Sequence, residues 1–158
     1  MRPDGARLMS GKITLGELPD GRITLQLDAD LPNFEAARRL LRTFLERGEA
    51  SERAIYRSEL VFEEICVNVI RHAYAGRRAG SRPIHAEARI ADDDIILTIE
   101  DEGPPFDPTA APSHTPAASL DEARIGGRGI ALTRLWTRQM TYARSGDRNC
   151  MTLIVARR

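Results

Sequence analysis

Apolar residues recur along this chain with two periods, and the changes of period divide it into elements. Ile13 and Leu15, then Ile23, Leu25 and Leu27, alternate with polar residues around Pro19-Asp20-Gly21. That alternation predicts a β-hairpin, because proline presets φ and glycine tolerates a positive φ. Over residues 34–47 the spacing becomes helical, with Phe34, Ala37, Leu41, Phe44 and Leu45 on one side and Gly48 as the stop. Ser51 can cap a second helix that runs to about Tyr74. Ile84, Ala86, Ala88 and Ile90 alternate with His85, Glu87 and Arg89, a strand with one wet face. After the turn Asp92-Asp93-Asp94, residues 95–100 read as a more fully buried strand. A third helix is expected over 130–138, with Leu132, Leu135 and Trp136 inward, and residues 140–144 and 149–156 form a closing hairpin.

The order is hairpin, helix, helix, hairpin, loop, helix, hairpin. It predicts an α/β (α+β) two-layer sandwich, a mixed or antiparallel sheet covered on one face by helices. Strict strand–helix alternation is absent, which argues against a doubly wound parallel sheet. At 158 residues the chain suits one domain, expected over 12–158 after a loose polar tail at 1–11.

Charge narrows the partners. Lysines plus arginines equal aspartates plus glutamates at 23 each, so no global field invites nucleic acid or an anionic membrane. No apolar run approaches the ~20 residues of a membrane span, and the first eleven residues lack an apolar segment of signal-peptide type. Cys66 and Cys150, in apolar settings without metal-ligand spacing, read as buried thiols of a reducing compartment. A cytoplasmic protein is the expectation.

Three features remain once the core is assigned. On the second helix Val61, Phe62, Ile65, Cys66, Val69, Ile70 and Ala73 fill one arc, while Glu64, Asn68 and His72 run along its edge beside Arg71. Polar groups at the border of a buried face are costly unless protein, metal or phosphate satisfies them. The second feature is Asp101-Glu102-Gly103-Pro104-Pro105-Phe106-Asp107, directly after a strand. A carboxylate there can accept from an amine, and a glycine lets a flat ligand approach the backbone. The third is Gly126-Gly127-Arg128-Gly129 at a helix start, where exposed N–H groups and the positive helix end favour phosphate. These glycines lack the ending of a P-loop and do not follow a strand. Each feature alone is weak: the first also fits a solvated helix edge, the second an ordinary turn, and three glycines in four residues are a weak signal by themselves. Between the second and third lies a proline- and alanine-rich stretch without periodicity, taken as a lid over 107–125.

In this order, E-x-x-x-N-x-x-x-H-A-Y, D-x-G-x-x-F-D-P and G-G-x-G-I resemble the N, G1 and G2 boxes of the GHKL, or Bergerat-fold, ATPases. Within that superfamily the chain is most similar to the anti-sigma-factor serine/threonine kinases, over nearly its whole length. The resemblance implies ATP and Mg²⁺ as cofactors, with Asn68 coordinating the ion. It implies Asp101 as acceptor for the adenine amino group, and Gly103 leaving room for the base. Gly127 and Gly129 would hold phosphates, with Arg71 approaching them. Thr152 matches a threonine or serine near the adenine. Glu64 falls where the kinases carry the general base for a serine or threonine hydroxyl. His72 is expected to pack or hydrogen-bond rather than carry a phosphate. Arg124 and Arg128 are either surface arginines or γ-phosphate contacts. G1 is less glycine-rich here than in many relatives.

The implied function is phosphorylation of a STAS-domain anti-sigma antagonist, coupled to sequestration of a sigma factor or similar regulator. A homodimer is implied by the likeness alone. The alternative is a nucleotide-responsive partner-switching module without transfer, and a detached sensor histidine kinase domain is a more distant rival.

Overall fold

The computed structural model describes residues 13–18, 20–77, 82–110 and 127–158. The expected tail at 1–11, Pro19, Arg124, Gly126 and most of the expected lid lie outside them. Among the described residues six strands form one sheet: β1 (Ile13–Leu18), β2 (Arg22–Asp28), β3 (Pro83–Ala91), β4 (Asp94–Asp101), β5 (Gln139–Ser145) and β6 (Arg148–Ala156). Their order is β1-β2-β3-β4-β6-β5, and every neighbouring pair is antiparallel. Helices α1 (Leu31–Arg47), α2 (Glu52–Asn68) and α3 (Gly127–Trp136) complete the expected two-layer α+β architecture.

The period-two pattern sets which face is covered. Ile23, Leu25 and Leu27 of β2 share the core with Ile95, Leu97 and Ile99 of β4 and with Met151, Leu153 and Val155 of β6. Phe34, Ala37, Leu41 and Leu45 of α1 meet them with Val61, Phe62, Ile65 and Cys66 of α2. The Phe34 and Phe62 rings stack at 5.7 Å, which ties the two helices. The other sheet face carries no described helix, so the alternate residues Ile96, Thr98 and Glu100 stay half-buried, and β4 is less enclosed than expected. Cys150 shares that face and is likewise half-buried, whereas Cys66 lies in the core. Burial pushes the Cys66 thiol pKa up.

The helices start as their sequences dictate. Asp30 caps α1, accepting from Asn33 N at 2.8 Å, and Ser51 caps α2, accepting from Ala54 N at 3.2 Å. Helix α3 differs from expectation. It begins at Gly127, and its inward residues are Ile130 and Thr133, while Leu132 and Leu135 are exposed and Trp136 is half-buried against Tyr56. Thr133 can be buried because its hydroxyl donates to Gly129 O at 2.9 Å.

The second helix also departs from regularity. It is α-helical to Asn68, then turns π-helical over Val69–Ala73, with Tyr74 N donating to Val69 O at 3.2 Å. On an unbroken α-helix Tyr74 would sit about 140° from Val69. The wider turn brings it back beneath Val69, where it is fully buried.

Candidate active site

The π-helical turn is one wall of a cavity of about 460 Å³. Asn68, Val69, His72 and Ala73 line that wall, Ile99 and Asp101 come from β4, and Asn149 and Met151 come from β6. Pro104, Pro105, Phe106 and Pro108 form the rim, with Ile130 of α3 opposite. Arg134 of α3 holds that rim, donating to Pro108 O at 3.1 Å and Thr109 O at 2.9 Å. The volume falls within the range of small-molecule sites, and the walls are mainly apolar with a few convergent polar groups.

Asp101 is buried at the end of β4. Its Oδ1 accepts from Gly103 N at 2.8 Å and from Asn149 Nδ2 at 2.9 Å. Both bonds use one oxygen, so among the described residues Oδ2 has no such partner and remains an acceptor at the cavity. The Asp101–Asn149 pairing follows from register, since the two residues are directly opposite on β4 and β6. Gly103 is required by packing: a Cβ there would meet Ala73 Cβ at 2.5 Å, Asp101 Oδ1 at 2.7 Å and Ala73 Cα at 3.1 Å. Its lack of a side chain therefore lets the strand end close against the π-helical turn.

Tyr74 locks the same junction. Its hydroxyl donates to Pro83 O at 2.6 Å and accepts from Glu102 N at 2.6 Å, joining the helix end to β3 and to the turn after Asp101. Arg77 lies over its ring at 5.2 Å, and burial raises the phenol pKa.

Glu64 is one turn before Asn68 and outside the cavity wall. Its carboxylate fills the space where a Cβ on Gly129 would stand, in the first turn of α3. Burial raises its pKa, Glu63 adds to the rise, and Arg71 opposes it. Arg71 and His72 are exposed, His72 at the cavity mouth. Gly127 is the first residue of α3, followed by Arg128.

Thr152 is misplaced for the contact expected of it. On β6 it pairs with Thr98 and Thr141, and its side chain shares the open face with Cys150. The residues that β6 turns toward the cavity are Asn149 and Met151, because strand side chains alternate. The sequence carried a signal for Asn149: it is in phase with buried Met151, Leu153 and Val155. Tyr74 carried no such signal, because its burial depends on the π-helical turn.

Residues 27–155 match the family model of the histidine kinase-like ATPase domain. The serine/threonine-protein kinase BtrW of Bordetella bronchiseptica is 31% identical over 130 residues, covering 82% of this chain and 90% of that protein. Among solved structures, the RsbU and RsbW domains of Rv1364c from Mycobacterium tuberculosis align with a TM-score of 0.58 at 17% identity. That alignment covers 84% of this chain and 32% of the other, so this chain spans about a third of the larger one, and it bears on the fold alone. The family match over most of the chain and the similarity to a serine/threonine kinase agree with the motif order, and the chain belongs to the histidine kinase-like ATPase domain family, in its anti-sigma-factor serine/threonine kinase group.

Proposed function

We propose that the protein is an ATP-dependent serine/threonine protein kinase that acts as an anti-sigma regulatory factor in the cytoplasm. Its substrate is a serine on a STAS-domain antagonist, and its second partner is a sigma factor or comparable regulator. The observation that carries this reading is the Glu64 carboxylate, half-buried with a raised pKa and seated against the first turn of α3, one helical turn from Asn68 at the cavity.

The residues divide the work by their chemistry. The Asp101 carboxylate, with Oδ2 free among the described residues, suits an exocyclic amine such as that of adenine. The backbone N–H groups of Gly127 and Gly129, at the positive end of α3, suit the phosphates, and Arg71 is near enough for its charge to act on Glu64 beside Gly129. Among the described residues no group of three His, Cys, Asp or Glu could hold a metal alone. Mg²⁺ takes one or two protein ligands and completes its shell with phosphate oxygens and water, so a single amide oxygen at the cavity suits it. Asn68 is the residue that would hold it. Bound Mg²⁺ supplies charge neutralisation on the phosphates. Glu64 then takes the proton of the attacking serine hydroxyl, a role for which a carboxyl with raised pKa is better matched than an ordinary one. Thr152 has no part in this assignment. Among the described residues no helix is long and apolar enough to cross a membrane.

The test is transfer from labelled ATP to the cognate STAS protein, with Glu64→Gln beside the wild type. Wild-type protein is expected to yield phosphoserine, and the variant to lose about 10²–10⁴-fold in rate while retaining nucleotide binding. Absent phosphoserine in the wild type, or undiminished transfer in the variant, overturns the kinase reading.

A further inference from the structure

The buried amide of Asn149 has two chemically different ends, and its neighbours dictate which end faces which way. Its Oδ1 accepts from Tyr142 Oη at 2.8 Å and from Arg144 Nη1 at 2.8 Å. Its Nδ2 donates to Asp101 Oδ1 at 2.9 Å and Pro104 O at 3.0 Å, and lies 3.4 Å from Gly103 O. Reversing the amide would set oxygen against oxygen on one side and donor against donor on the other. Arg144 also donates to Gly103 O at 3.1 Å, so the same guanidinium holds both the amide and the turn.

We propose that Asn149, oriented by Tyr142 and Arg144, is a positioning residue that makes the site select a 6-amino purine over a 6-oxo purine. The inference rests on the proposed role of Asp101 as base acceptor and assigns its selectivity to a residue behind it. Gly103 N and Asn149 Nδ2 occupy Oδ1 and fix the carboxylate plane. Oδ2 is then presented to the cavity as an acceptor. A 6-amino group can donate to it, whereas a 6-oxo group at the same place sets two acceptors face to face and leaves both unpaired.

Asn149→Asp isolates this role. It keeps the shape and the acceptor for Tyr142 and Arg144, and removes the donor toward Asp101. Two carboxylates that close repel one another, so the Asp101 carboxylate loses the plane that the amide fixed and its Oδ2 is no longer held as an acceptor for a 6-amino group. Tyr142→Phe is the milder variant: it keeps the ring and removes one of the two donors that orient the amide.

The measurement is calorimetric titration of the full chain with ADP and with inosine 5′-diphosphate, which differ at the 6-position, without a protein substrate. Wild type is expected to prefer ADP by about 100-fold. Asn149→Asp should lower that ratio at least about tenfold, and Tyr142→Phe by about threefold. A simple loss of stability weakens both ligands together and leaves the ratio unmoved. A discriminating wild type whose ratio persists in both variants overturns the role of Asn149 and leaves the ATP reading standing. Equal binding of the two nucleotides by wild type also overturns it. Wild-type protein that binds neither overturns the ATP site itself.

Discussion

The two ends of the cavity are built differently, and two glycines show how. At the Asp101 end, Gly103 lies against the backbone and Cβ of Ala73, within a lattice of buried and half-buried hydrogen bonds that involve Tyr74, Asn149 and Arg144. The turn after Asp101 is thereby tied to a strand end and to a helix end. At the Glu64 end, Gly129 lies against the tip of one flexible carboxylate, and Arg71 nearby is exposed. Under the proposed function the base end is held by backbone contacts and hydrogen bonds of the fold, whereas the transfer end is a small set of helix side chains. On that reading recognition belongs to the strand and helix ends and chemistry to side chains on two helices.

This contrast can be broken by substitution. Asp101→Asn replaces an acceptor with an amide that can turn a donor toward the base, and nucleotide affinity is expected to fall about 100-fold. A titration finding less than a fewfold loss would remove Asp101 from the base site. Gly129→Ala should leave the fold intact, since the obstructed carboxylate can swing aside, while phosphoryl transfer at saturating ATP falls about tenfold. Gly103→Ala should do the opposite. Its Cβ meets backbone, so a loss of about 1–3 kcal/mol in stability is expected by denaturant titration. If the two glycine variants gave the same phenotype, the distinction between the two ends would be wrong.

Tyr74→Phe leaves Glu102 N and Pro83 O without their shared partner, and about 1–2 kcal/mol should be lost. A melting temperature within a degree of wild type would deny the tyrosine its structural role. The smallest effect is electrostatic. Because Glu64 must be deprotonated to act as base and its pKa is raised, the acidic limb of the transfer profile should lie above the usual glutamate range. Arg71→Ala removes the opposing charge and should move that limb further up, whereas Glu63→Gln should move it down. Shifts in the reverse sense would exclude Glu64 as the titrating group.

Most of the fold was legible because its elements follow the residue pattern closely. The alternation in β2 and β3, the Ser51 cap and the apolar arc of α2 each determined an element and its buried face. The departures have separate physical causes. Leu132 and Leu135 have inward chemistry but outward placement, and Thr133 the reverse, because α3 packs against α2 with Ile130 and Thr133 inward. Thr152 was assigned by motif position, but strand alternation turns it to the face away from the cavity. The widened turn after Asn68 has no composition of its own, so the burial of Tyr74 was hidden with it.

The sequence by itself determined the elements, the covered sheet face and the candidates Glu64, Asn68, Asp101 and the glycine helix start, since local periodicity and motif order are properties of neighbouring residues. The tertiary structure decided which of them meet: Glu64 with Gly129, Asp101 with Asn149, Tyr74 with Glu102. Those contacts join residues from 28 to 65 positions apart, or 48 in the Asp101 pair. They depend on strand register and helix rotation, which are settled by burying the whole core at once rather than by any segment alone.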